Sequence, residues 1–153
     1  MLIVDTKVSE SSVHGTGLFA NQDIVKGQVI WKFNESSCEV FYFDKFILKC
    51  IDLDINSIFN LLHYSYVKNN LIYFISNDAK YINHSPEPNV CFLDWKTEVA
   101  SRDICKGEEI LEDYYKCYDH NDFFMNKEIF NIKSKDALIN RLRIIYVNNS
   151  NFY

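Results

Sequence analysis

The stretch Tyr81-Ile82-Asn83-His84-Ser85-Pro86-Glu87-Pro88-Asn89 decides the fold, and both prolines of the chain stand in it. Proline fixes φ and removes a backbone donor, so two prolines this close mark a turn that must be held. The apolar-aromatic run before them delivers Asn83 and His84 to a rigid bend. A second stretch, Gly107-Glu108-Glu109-Ile110-Leu111-Glu112-Asp113-Tyr114, ends a strand-like run on a tyrosine. A third, His14-Gly15-Thr16-Gly17-Leu18-Phe19-Ala20, places a glycine loop near the start.

Working outward, an internal echo links two of these regions. Ala20-Asn21-Gln22-Asp23-Ile24-Val25-Lys26-Gly27-Gln28-Val29-Ile30 matches Ala100-Ser101-Arg102-Asp103-Ile104-Cys105-Lys106-Gly107-Glu108-Glu109-Ile110, with Ala, Asp, Ile, Lys, Gly and Ile in register. Each copy reads as a strand end, a glycine turn and a new strand. Gly27 and Gly107 are expected to supply positive φ. Two copies are too few for a solenoid and predict two similar β-hairpins in one β-rich domain.

Val29, Trp31 and Phe33 alternate, predicting one strand face. Val40-Phe41-Tyr42-Phe43 and Leu71-Ile72-Tyr73-Phe74-Ile75 are short β-rich runs. Val90 to Leu93 and Thr97 to Ala100 read as a strand pair around Asp94-Trp95-Lys96. Ile55, Ile58, Phe59, Leu62 and Tyr66 have helical spacing, with Asp54 as N-cap. Ser134 to Val147 reads as a second amphipathic helix with Leu138, Leu142 and Ile145 on one face. Asn148 to Tyr153 reads as a frayed end.

The 153 residues, 48% hydrophobic and 24% charged, suit one domain with a real core. A net charge of -5 argues against sequence-independent DNA binding, which needs a dense basic surface. The acidity suits a basic protein partner, and serves solubility equally well. Met1-Leu2-Ile3-Val4 runs straight into Asp5, so no secretory signal is read, and no apolar stretch reaches membrane-spanning length. Five cysteines, an odd count with no CxxC, predict reduced thiols in an intracellular protein of the cytoplasm or nucleus.

The glycine loop, the Asn-His bend and the Asp-Tyr strand occur in an order, across most of residues 1 to 117, that resembles the SET-domain family of S-adenosylmethionine-dependent protein-lysine methyltransferases. The resemblance implies a mostly β fold with some α: the β-clip arrangement of small sheets, a knot-like active site and a helical C-terminal segment. It implies a SET domain over 1–117 and a closing segment over 118–153 packed on the same domain. Gly15-Thr16-Gly17-Leu18-Phe19-Ala20 also fits the dinucleotide fingerprint, but no buried strand precedes it and Gly27 arrives before a helix could form. The fingerprint reading is therefore rejected; a nucleotide-dependent oxidoreductase stays as a second competitor that nicotinamide binding by fluorescence would separate, and no such binding is expected.

By the same resemblance, Gly15 and Gly17 lay backbone along the methionine part of the cofactor, Asn83 meets its amino group, and the His84 backbone meets the adenine. Lys80 matches a basic position that pairs with the cofactor carboxylate, and Tyr81 lies between. Donors for a carboxylate, acceptors for an ammonium and aromatic faces for a sulfonium suit that ligand. Plainer readings are a β-turn for the loop, a capped turn for Asn83-His84 and a packed strand residue for Tyr114.

Tyr114 takes the family's catalytic position. Methyl transfer needs a neutral amine in line with methyl and sulfur, roughly 3–3.5 Å away. Lysine, with a reference pKa of about 10.4, loses its proton more readily in an apolar channel. A fixed hydroxyl and a narrow aromatic channel then suffice. Glu112 stands where many members carry Phe or Tyr that helps set the number of methyls; it would either hydrogen-bond a lysine head or face solvent. Phe33 stands where many carry a channel-lining tyrosine.

The zinc-bound segment of some families is not expected. Pro86 follows Ser85 where those carry Cys, no cysteine follows Cys117, and Cys117-Tyr118-Asp119-His120 lacks a second ligand pair. Tyr118, Phe123 and Phe124 are then the candidates for an adenine lid, with no metal. The expected function is methylation of lysine in a histone or other basic protein tail, with no direct nucleic-acid or membrane partner and bearing on chromatin. The alternative is a catalytically inactive protein-interaction module of the same fold.

Overall fold

The two echo copies do not form separate hairpins; they clasp each other. Ile24 and Ile104 exchange backbone hydrogen bonds of 2.9 and 2.8 Å. The Gly27 N–H donates to the Ala100 carbonyl at 2.8 Å, and the Gly107 N–H to the Ala20 carbonyl at 2.7 Å. Side chains reciprocate as well: Asp103 accepts from the Lys26 N–H and Asp23 from the Lys106 N–H, each at 2.8 Å. Matched residues thus stand about a local two-fold, and each copy supplies the partners the other needs. Gly27 and Gly107 have φ of +83° and +91°, as expected. The hairpin expectation failed because a glycine turn sets a bend but not the edge the bend meets.

The computed structural model describes residues 1–119 and 128–150. It divides into two compact units, one of residues 1–39 and 75–117, the other of 40–74 and 118–153. In the first unit β1 (Thr6–Glu10) and β2 (Thr16–Ala20) form an antiparallel pair joined by the glycine loop. The strand β3 (Val29–Lys32) follows. In the second unit β4 (Cys38–Phe41) leads into α1 (Phe43–Ile51), α2 (Ile55–His63), β5 (Ser65–Lys68) and β6 (Leu71–Ile75). The chain re-enters the first unit for β7 (Asn83–His84), β8 (Val90–Asp94), β9 (Thr97–Ala100), β10 (Leu111–Glu112) and the short helix α3 (Tyr114–Cys117). It closes in the second with α4 (Lys135–Ser150).

Two sheets of the first unit carry the site. One has the order β3-β9-β8, all antiparallel. The other pairs β7 with β10 in parallel, Leu111 opposite Asn83 and Glu112 opposite His84. The expected alternation of Val29, Trp31 and Phe33 breaks at a register shift between Val29 and Trp31. Ile30 and Trp31 are both buried there, because a bulge turns successive side chains toward the core.

The second unit packs α1, α2, α4 and the β5–β6 hairpin around Phe46, Ile58, Leu62, Ile129, Leu138 and Leu142. Asn69 and Asn70, both at positive φ, make the hairpin turn. Asp54 caps α2 as expected, its carboxylate accepting from the Asn56 and Ser57 N–H groups. Tyr66 lies not on α2 but in β5. The run ending at Phe43 is strand only to Phe41; Phe43 opens α1, because Phe43, Phe46, Ile47 and Cys50 bury one helical face. Residues 148–150 continue α4 rather than fray.

Among the described residues no helix is long and apolar enough to cross a membrane. All five cysteines are free thiols. Burial pushes the Cys38 thiol up to about 12 and Cys50 up to about 11, which leaves both unreactive near neutrality.

Candidate active site

Asn83 ties the glycine loop to the Asp-Tyr strand. Its Nδ2 donates to the carbonyls of His14 and Thr16, both at 3.0 Å, and to Glu109 Oε1 at 2.9 Å. The Ser11 hydroxyl also donates to the Glu109 carboxylate, 2.8 and 2.9 Å from its two oxygens. Gly17 is glycine for want of room: a Cβ there would lie 2.3 Å from Glu109 Oε1 and 3.0 Å from Ser11 Cβ. Gly15 is glycine for conformation, with φ of +50° and open space around it.

Lys80 and Tyr81 lie in a 3-10 turn, Asp78–Tyr81, that Asn77 caps and that packs on β2. The Lys80 ammonium sits 5.1 Å from the Tyr81 ring centroid. The sequence therefore brings Gly15, Gly17, Lys80, Tyr81 and Asn83 to one end of the β1–β2 pair. Backbone carbonyls and the Glu109 carboxylate would accept from an ammonium there, and Lys80 would meet a carboxylate. This donor set fits the amino-acid end of S-adenosylmethionine.

Tyr114 follows directly on β10, where the chain leaves the parallel pair. Its backbone N–H donates to His84 Nδ1 at 3.2 Å, so the proton of a neutral His84 sits on Nε2. Its hydroxyl donates to the Ile82 carbonyl at 2.5 Å. The His84 ring lies 5.4 Å from the Tyr114 ring and 5.1 Å from the Tyr115 ring. Burial, then the nearby Glu112 and Glu98 carboxyls, push the Tyr114 phenol far above its ordinary value. It stays protonated near neutrality and acts as a hydrogen-bond donor, not a base. The neighbouring Asp113 is held below the usual carboxylate range by the Lys116 ammonium at 3.1 Å.

Glu112 does not face solvent; it is buried, and its carboxyl hydrogen-bonds to that of Glu98 on β9. Burial first, then Glu112, push Glu98 well above the ordinary carboxylic range. Glu98 therefore keeps its proton to higher pH than an ordinary carboxyl does. Glu98→Gln keeps that bond without an ionisable group. An unfolded carboxyl ionises near about 4.3, and the folded Glu98 well above it. Within that window folding takes up a proton, so stability falls as pH rises, by at most about 1.4 kcal/mol per pH unit. Urea unfolding from pH 5 to 8 should show the parent losing stability relative to Glu98→Gln; parallel curves would contradict the raised proton affinity of Glu98. Asp113 and Glu108, whose carboxyls are held low, act in the opposite sense and only as pH falls through the unfolded carboxylate value toward their own lower ones.

Asn89, fully buried, braces the same strand. Its Oδ1 accepts from the Leu111 N–H at 2.8 Å and its Nδ2 donates to the Glu109 carbonyl at 2.7 Å. Asn89→Ala leaves both unpaired and should cost about 3 kcal/mol, or roughly 6–12 °C in Tm. A shift under 2 °C by calorimetry would show that solvent replaces the brace.

Phe33 follows the end of β3, half-buried, with its ring 5.8 Å from Trp95. Tyr118 belongs to the second unit, where its ring stacks on Tyr66 at 4.3 Å. Phe123 and Phe124, and the possible ligand His120, lie outside the described residues. Sequence reasoning missed Glu98 and Glu109 as site residues. Glu98 had a signal, an acid inside the apolar run Thr97 to Ala100. Glu109 had none, because only the approach of β2 gives it a partner.

A comparison with family models matches the SET domain over residues 15–115. The chain belongs to the SET-domain family. Its fold is similar to the Chaetomium thermophilum Polycomb Repressive Complex 2 in an autoinhibited conformation bound to S-adenosylmethionine, with TM-score 0.58 and 21% identity over 84% of this chain and 17% of that one. The same complex with H3K27me3 and H3K27M matches at TM-score 0.54 and 23% identity, over 72% of this chain and 14% of that chain. A Plasmodium falciparum chain assigned as a histone methyltransferase matches at TM-score 0.50 and 21% identity, over 72% of this chain and 93% of its own. The chain thus spans about a sixth of the Polycomb chains it matches. No curated protein matches.

Proposed function

We propose that this chain is an S-adenosylmethionine-dependent protein-lysine N-methyltransferase acting on a histone or another basic protein tail. The observation that carries the reading is Tyr114: half-buried, protonated, and pinned through its hydroxyl to Ile82 and its backbone to His84, beside the Asn83–glycine-loop assembly. In this reading the cofactor supplies an electrophilic methyl group. Gly15, Gly17, Lys80, Tyr81, Asn83 and His84 hold it, and Glu109 adds an acceptor for its ammonium. Tyr114 orients the acceptor amine, with Phe33 and Glu112 along the channel. The net negative charge draws a basic tail. Such a protein would work in the cytoplasm or nucleus.

The test is purified protein with methyl-labelled S-adenosylmethionine and mixed core histones, read by mass spectrometry. Methyl-lysine in a histone is the expected result. Tight binding of S-adenosylhomocysteine without transfer to histones or to a cell lysate would favour the inactive interaction module instead.

A further inference from the structure

Tyr114 accounts for alignment but not for the two acids buried beside it. Glu98 stands on the middle strand of β3-β9-β8, directly opposite Trp31 on one side and Phe92 on the other. Directly paired residues of antiparallel strands project to the same face. Strands two apart lie about 9.5 Å from each other, yet the Trp31 and Phe92 ring centroids are only 6.3 Å apart, edge to face. The two rings therefore lean together over Glu98. Glu98 is 2% exposed and Trp31 3%, and among the described residues neither Glu98 Oε1 nor Trp31 Nε1 has a hydrogen-bond partner. A buried acceptor without a donor is a standing cost that a bound group with N–H donors removes. Carboxyl oxygens flanked by aromatic rings are what an alkylammonium prefers.

The proton inventory points the same way. Tyr114 keeps its proton and cannot take another group's. Among the described residues, the titratable groups whose charge acts on Glu98 are Glu112 from β10 and, on the other face of β8, Cys91, with Tyr114 from α3 nearby, while β3 contributes the non-titrating Trp31. Glu98, whose proton affinity is raised by burial and by the Glu112 carboxyl, is the group of this set placed to take up a proton.

Building on the methyltransferase reading, we propose that Glu98 and Glu112 receive the acceptor lysine as an ammonium and take one of its protons, so that Tyr114 aligns a neutral amine. The Nζ–H bond breaks, its electron pair stays on nitrogen, and the proton joins an ionised carboxylate of the acid pair, whose negative charge falls by one. The freed pair on Nζ makes the new N–CH3 bond as the methyl leaves its donor, whose bonding electrons stay behind. After the product departs, the pair returns its extra proton to water.

The test compares the full-length parent with E98Q/E112Q, using core histones and labelled S-adenosylmethionine, with initial rates from pH 6 to 10. The parent should level off below pH 8. The double variant must draw neutral amine from solution, so its rate should rise about tenfold per pH unit toward lysine's reference value near 10.4. It should trail the parent by about 1,000-fold at pH 7 and converge with it near pH 10. Circular dichroism checks the fold, and E98Q, which keeps one carboxyl, should lie between the two if the double variant does not fold. A variant with the parent's pH profile, merely scaled, would make the acids structural and overturn the proposal. A parent that binds no S-adenosylhomocysteine and methylates nothing would overturn the methyltransferase reading instead, and this proposal with it.

Discussion

Tyr114→Phe should lower methyl transfer at least about 100-fold while S-adenosylhomocysteine still binds. The hydroxyl donates to the Ile82 carbonyl at 2.5 Å, next to the residue that ties down the glycine loop. Its loss frees the ring from the backbone that positions it, and misplacement of a reacting centre by an ångström costs about that factor. The Ile82 carbonyl, buried and left with one donor fewer, should also cost about 1–3 kcal/mol of stability. The two effects separate by experiment: calorimetry reads cofactor affinity, thermal melting reads the fold, and single-turnover rates read alignment. Near-parental turnover would remove Tyr114 from the site.

Asn83→Ala should weaken S-adenosylhomocysteine binding at least about tenfold and lower stability by about 2 kcal/mol, or roughly 4–8 °C in Tm. One amide reaches the His14 and Thr16 carbonyls and Glu109. Alanine unties the glycine loop from β7 and leaves the Glu109 carboxylate with Ser11 alone among these tethers. A variant that melts earlier but binds as well as the parent would make Asn83 a brace for the loop and nothing more. Asn83→Asp keeps the size but replaces the donor with an acceptor beside Glu109, so it should behave like alanine; parental behaviour there would show that the donor is unimportant.

The sequence by itself determined the landmarks that rest on local chemistry. Two prolines, paired glycines with positive φ, the Asp54 cap and the 90–100 hairpin all depend on a residue and its near neighbours, and each could be read in place. Asn83, His84 and Tyr114 stand in an order that the SET-domain match over residues 15–115 covers. Where a local rule met a competing one, the reading failed: the aromatic run at 40–43 looks like strand, but the spacing of Phe43, Phe46, Ile47 and Cys50 makes helix.

Only the tertiary structure decided partners. The echo of residues 20–30 in 100–110 gave no hint that each copy's glycine turn would serve the other, because hydrogen-bond reciprocity is a property of two segments in space. Gly17 explains itself only when Glu109 arrives beside it from the far end of the unit. Glu98 and Glu112, 14 residues apart in sequence, become one hydrogen-bonded pair only when β9 and β10 come together, since burial and a neighbouring carboxyl give Glu98 a proton affinity that its neighbours in sequence do not.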